Sequence, residues 1–511
     1  MFYLQKELDG VKEILDFYIV PHTHNPQERI VGRIVGWEKK GIQQNTIYLP
    51  TSEPCKLLGI NVLEKQENVL ASIKPGPAYA DKDGENNSVR VPLTFYNIET
   101  NSDIAVLAEI IVGDKRFPGI IQVGDDQILF AFDIAEVINK ILLYRYLSGT
   151  PSAGLLNIIN RVGAAVATKL PLGLRNYLIK SYLKLAKNTA KDAGFPTWPM
   201  DRSVDALRDL FLKTLVLVSN DKEVFFISPW PKGKTFCFCS THDVDTVGGF
   251  KNIPFVRKEE RALNMPSTWF VTHEINPDVE FLKELVADGC EVGSHGWMHD
   301  DRLGLITPEE VGDRCKKSAE QFKGITLKGF RAPYNGFHPR VFEEMRKYFS
   351  YDASSQEARI YASVKSHRLG CCTLFPYDVD GFIELPSTMP PDYLLINTLE
   401  YDPEKVYQTW EEKLSKVRNA QGMALMQTHP EEFDIGNPRF IVPYRKILEK
   451  VSSMEGCYIA TAADVAAWWK KRASCRIDID SGGPHINSPE NIPVRIRRIS
   501  RKTSQWTVED I

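Results

Sequence analysis

Asp243 and Asp245 in Ser240-Thr241-His242-Asp243-Val244-Asp245, with His295 and His299 in Ser294-His295-Gly296-Trp297-Met298-His299, have the types and spacing to hold a divalent metal that activates water. In an extended segment, two carboxylates separated by one residue point to the same side. One can then bind the ion while the other stays free to take a proton. His295 and His299, at i and i+4, reach a common ion if the chain after Ser294 enters a helical turn. Neutral imidazoles plus a carboxylate leave positions for water and substrate, which suits catalytic zinc and tolerates other first-row divalent ions.

Two further segments add chemistry to that set. In Phe330-Arg331-Ala332-Pro333-Tyr334, a strand-borne Arg331 can hold a carboxylate bidentately and keep it ionised, and the Tyr334 backbone N–H can face a developing oxyanion. In Gln427-Thr428-His429-Pro430, His429 ends a late strand; placed opposite Asp243, it can protonate a leaving amine. Trp297, with Tyr334 and Phe337, can offer a stacking platform to a sugar ring or pack in the core. His242 and His273 are expected as hydrogen-bonded core histidines, and Cys237 and Cys239 as buried, inert thiols.

Positioning these groups requires several elements. Short apolar runs at Phe236–Ser240, Ser267–Thr272, Glu291–Ser294, Lys328–Arg331 and Ala424–Gln427 read as strands. They alternate with helix-like segments at Pro277–Asp288 and Pro308–Phe322. Such alternation predicts a parallel sheet, most simply closed as a barrel with its chemistry at the C-terminal strand ends. Residues 1–135 alternate β-type runs with turn clusters and predict a separate β-rich domain, in which His22 and His24 complete no metal site. Residues 136–230 form a helical connector. Between Val137 and Lys191 this connector carries nine Lys or Arg and no acid, a pattern that suits either a packed helix or a contact with anionic lipid. The catalytic region spans 231–475, and 476–511 reads as a tail with short strands.

The chain of 511 residues, 43% hydrophobic and 25% charged with net charge −3, has the make-up of an ordinary globular protein and gives no sign of nucleic-acid binding. Its nine cysteines lack zinc-finger spacing. The N-terminus shows no basic and apolar signal pattern, and no apolar run is long enough to span a bilayer, so a cytoplasmic protein, in peripheral contact with the inner membrane face at most, is the expectation.

Taken in order, Thr241-His242-Asp243-Val244-Asp245, His295-x3-His299, Arg331-Ala332-Pro333-Tyr334 and Thr428-His429-Pro430 resemble the motifs of the polysaccharide deacetylase family, also called NodB-homology or carbohydrate esterase family 4 proteins. The resemblance covers about residues 232–472. It implies a distorted (β/α)7-type barrel, a metal held by Asp245, His295 and His299, Asp243 as base, Arg331 as its partner and His429 as acid. The family's first motif has adjacent carboxylates, whereas Val244 separates them here; Tyr351-Asp352 occupies about the place of its fourth motif. The implied activity is hydrolysis of an amide C–N bond, with an N-acetylated amino sugar of a glycan or glycolipid precursor as substrate. A cyclic imide or small amide hydrolase, and a silent glycan-binding protein, are the other readings.

Overall fold

The computed structural model describes residues 1–5, 8–24, 32–36, 44–50, 60–80, 88–99, 104–146, 195–359, 369–502 and 505–511. The basic stretch Val137–Lys191 therefore lies outside the described residues from 147 onward. Two compact units emerge: Met1–Tyr146 with Ser203–Lys232 and Lys471–Ile511, and Leu147–Arg202 with Gly233–Lys470.

The first unit contains a nine-stranded mixed sheet. Its antiparallel half runs through Asn61–Pro75, Val89–Glu99, Ala105–Val112, Lys115–Gly124 and Gln127–Phe130. Alternating burial along Val89–Glu99 puts Val91, Leu93 and Phe95 on the core side, as a sheet with one buried face requires. The helix Ser203–Val218 belongs to this core, with Phe211 6.1 Å from Phe130 between ring centroids. Glu223–Ile227 pairs antiparallel with Ile496–Lys502, which pairs in turn with Gln505–Asp510. This pairing draws 203–232 and the tail strands into the unit of the N-terminal sheet, a grouping different from a linear division at 135/136, 230/231 and 475/476. His22 and His24 each bond a main-chain carbonyl, of Val20 and Leu4 respectively.

The second unit is built on parallel strands. All nine residues of Phe236–Val244, the polar Ser240 to Asp243 included, are buried, as in a strand covered on both faces. It pairs with Thr268–Val271 on one side and Met423–Thr428 on the other. Glu291–Ser294, Gly329–Phe330, Tyr351–Asp352 and Phe382–Glu384 extend the sheet in parallel. Tyr377–Val379 joins it antiparallel. The curl then closes without a regular strand: Ser387 N–H donates to Ser355 O at 2.9 Å, and the Thr388 and Met389 N–H groups donate to Leu425 O at 3.3 and 3.1 Å. A distorted (β/α) barrel results. Helices Val247–Arg261, Val279–Ala287 and Pro308–Gln321 start on side-chain caps from Thr246, Asp278 and Thr307, each satisfying a backbone donor of the first turn.

Candidate active site

The shared direction of the parallel strands delivers Asp243, Asp245, His295, Arg331 and His429 to one end of the sheet. Asp243 lies within its strand and is almost fully buried. Its Oδ1 accepts from Arg331 Nη1 at 2.8 Å and its Oδ2 from Gln427 Nε2 at 2.7 Å. The expected bidentate clasp by Arg331 is therefore not the one observed. Nη1 also reaches Thr241 Oγ1 at 2.8 Å, while Nε turns to Ala353 O at 2.8 Å, so the guanidinium stitches strands together as well as gripping the acid. Gln427 takes the second oxygen. Its amide is fixed by a reciprocal pair with Asn335, at 3.0 and 3.1 Å. Burial by itself raises the Asp243 carboxyl, but Arg331, then His295 and His429, overcome it and hold the group below the usual carboxylate range.

His295 and His299 converge on one oxygen: their Nε2 atoms lie 3.2 and 3.3 Å from Asp245 Oδ1. The helical turn expected after Ser294 is absent; residues 295–299 form an irregular loop. Gly296 takes φ +83 there, and a Cβ at that position would sit 3.1 Å from the Pro333 ring, so the loop doubles back in a way a helix cannot. His295 Nδ1 sits 2.9 Å from Arg331 O. A carbonyl can only accept, so this bond assigns the proton to Nδ1 and leaves the Nε2 lone pair pointing at the cluster. The His299 backbone N–H is held by Glu274 Oε2 at 2.8 Å.

These residues fit a divalent cation. Asp245, His295 and His299 each offer a ligand atom, and those atoms all lie within 4.8 Å of one another. Asp245 Oδ1 is buried without a hydrogen-bond partner among the described residues, which is costly unless a cation satisfies it.

His429 faces the base, with Nε2 3.9 Å from Asp243 Oδ2. Asp392 grips it twice, at Nδ1 and at the backbone N–H, both at 2.7 Å. Burial disfavours the imidazolium, but Asp392 dominates and pushes His429 well above the ordinary histidine value. Asp392 is not among the residues singled out from the sequence, where Tyr351-Asp352 stands at about the place of the family's fourth motif. Asp352 accepts from Ser354 Oγ at 2.7 Å and shares a hydrogen bond with the Glu384 carboxyl. The only local sign of Asp392 is a carboxylate after Pro390-Pro391, just past the closing segment.

The remaining candidates divide. Tyr334 has φ +58 and its ring centroid is 4.8 Å from His299. Trp297 is half-buried and stacks on His273 at 5.9 Å. His273 bonds Gln321 and Ser294 and stacks on Phe322 at 4.0 Å; burial drops it to about 4, as befits a neutral core histidine. His242 is likewise internal, 2.7 Å from Glu260 Oε1 and stacked on Trp269 at 4.0 Å. Cys237 and Cys239 are buried, with burial raising both thiols.

The family model described as Polysaccharide deacetylase matches residues 261–350. A peptidoglycan deacetylase from Helicobacter pylori is 25% identical over 254 residues, covering 44% of this chain and 85% of that protein. This region of the chain is similar to polysaccharide deacetylases. A peptidoglycan deacetylase-like protein from Gibberella zeae is 33% identical over 127 residues, 24% of this chain and 35% of its own length. Among solved structures, a Mycobacterium smegmatis protein assigned to the polysaccharide deacetylases aligns with TM-score 0.40 at 19% identity, covering 47% of this chain and 92% of that one. No helix among the described residues is long and apolar enough to cross a membrane.

Proposed function

We propose that the chain removes acetate from an N-acetylated amino sugar of a glycan or glycolipid precursor, using a divalent cation, zinc or another first-row ion, held by Asp245, His295 and His299. The observation that carries this reading is the meeting of that three-ligand group with Asp243 and His429, whose facing atoms lie 3.9 Å apart. When bound, the cation supplies Lewis-acid polarisation at the acyl group and water. Asp243, kept ionised by Arg331, takes the proton of the attacking water. His429, kept protonated by Asp392, delivers a proton to the departing nitrogen. The Tyr334 backbone N–H serves the oxyanion, and Trp297 offers a face to the sugar ring.

Two groups with opposite charge preference are what amide hydrolysis needs, since the nucleophile must lose a proton and the amine must gain one. The test is metal content of the purified chain followed by acetate release from a panel of N-acetylated sugars, including chitooligosaccharides and peptidoglycan fragments. Chelator-sensitive acetate release supports the reading. A protein that neither retains nor rebinds zinc or any other first-row divalent ion defeats it.

A further inference from the structure

Immediately after His429, the chain sends a second carboxylate back toward the metal group. Glu431 is 2% exposed, and its Oε1 accepts from Asp245 N–H at 3.1 Å, Thr246 N–H at 3.2 Å and Thr246 Oγ1 at 3.2 Å. The adjoining backbone is tied down too, because Asn252 Nδ2 donates to Pro430 O at 3.0 Å. Room for the carboxylate exists only because residue 249 is glycine: a Cβ there would lie 2.2 Å from Glu431 Oε1.

The strands Phe236–Val244 and Met423–Thr428 run side by side up to the pair His242 and Thr428. Beyond that point the ladder ends, and the N–H groups of Asp245 and Thr246 would lack sheet partners. A side-chain oxygen takes over where main-chain carbonyls stop. Because three donors converge on one atom, the direction in which the chain leaves Val244, and with it the aim of the Asp245 side chain, is fixed by a residue two positions from His429.

We propose that Glu431 is the positioning residue of Asp245, setting the ligand geometry of the cation site without touching the cation. The proposal rests on the reading that Asp245, His295 and His299 hold a divalent ion. It works through acceptor placement, so a neutral side chain of the same length is sufficient and a shorter acid is not.

The test is zinc affinity of the full chain, measured by competition with a chromophoric chelator, together with the visible absorption of the cobalt-substituted protein. Glu431→Ala and Glu431→Asp are expected to weaken zinc binding ~10–100-fold and to alter the cobalt spectrum, as loss of outer-sphere support does elsewhere, while Glu431→Gln stays within about threefold of the parent. Gly249→Ala, which puts a methyl group where Oε1 lies, is expected to follow Glu431→Asp, and these two provide the answer if Glu431→Ala does not fold. Parent-like affinity in Glu431→Asp and Gly249→Ala, alongside loss of zinc in His295→Ala, overturns the proposal and leaves the cation reading standing. Equal loss in Glu431→Gln and Glu431→Asp also overturns it, in favour of a charge effect. Parent-like zinc binding in His295→Ala removes both.

Discussion

Two clusters at the mouth of the barrel contain the same chemical parts. Asp245, His295 and His299 form one, Asp392, His429 and Asp434 the other, and both bring carboxylate and imidazole atoms within 4.8 Å of each other. They differ in what the remaining lone pairs and protons do. In the first, a main-chain carbonyl takes the His295 Nδ1 proton and Asp245 Oδ1 is left without a hydrogen-bond partner. In the second, Asp392 spends both oxygens on His429, and Asn397 donates to Asp434. A carbonyl partner at Nδ1 leaves Nε2 free to ligate, whereas a carboxylate partner at Nδ1 favours the imidazolium. On the proposed function, the first cluster takes a cation and the second a proton.

That contrast can be broken most decisively at the ligands. His295→Ala is expected to take bound metal from about one ion per chain to near zero and to abolish turnover, as read by elemental analysis and acetate release. Asp243→Asn should keep its metal but lower kcat about 10²–10⁴-fold, since it removes a base and not a ligand. A variant that loses metal at Asp243 instead would merge the two roles that the geometry separates.

Asp392→Asn sharpens the proton side. Asp392 raises the His429 pKa against the opposing effect of burial, so the parent keeps its acid protonated well above the ordinary histidine range. The alkaline limb of kcat/KM should therefore lie at high pH. Removing the Asp392 charge lowers the His429 pKa, which moves that limb to lower pH and reduces kcat roughly 10–10²-fold at neutral pH. An unmoved limb would show that His429 is not the acid.

Much of this site is legible in the chain because parallel strands are short apolar runs that stop at polar motifs. Asp243, Asp245, His295, Arg331 and His429 each end or follow such a run. The i, i+4 spacing of His295 and His299 misleads about the turn between them, because a glycine at positive φ permits a loop that brings the same two rings together. Asp392 carries no periodic signal: it follows the irregular segment that closes the barrel, where single hydrogen bonds to Leu425 replace a strand. Gln427 and Asn335 were visible only as parts of motifs, since an amide pair depends on spatial neighbours 92 residues apart. The pairing of Glu223–Ile227 with Ile496–Lys502 is hidden for the same reason.

The smallest expected effect tests the contrast from the other direction. Asp434 is buried, and burial followed by the nearby Asp392 charge raises its carboxyl well above the usual range, toward the protonated form. An amide has nearly the shape of a neutral carboxyl, and Asn397 Nδ2 can still donate to its oxygen. Asp434→Asn should therefore change kcat by less than about threefold and leave metal content at one ion per chain. Were the second cluster a cation site, the same substitution would replace a ligand and the elemental analysis would register a lost ion. A flat result in Asp434→Asn beside the empty site of His295→Ala would mean that two groups assembled from carboxylates and imidazoles bind different things.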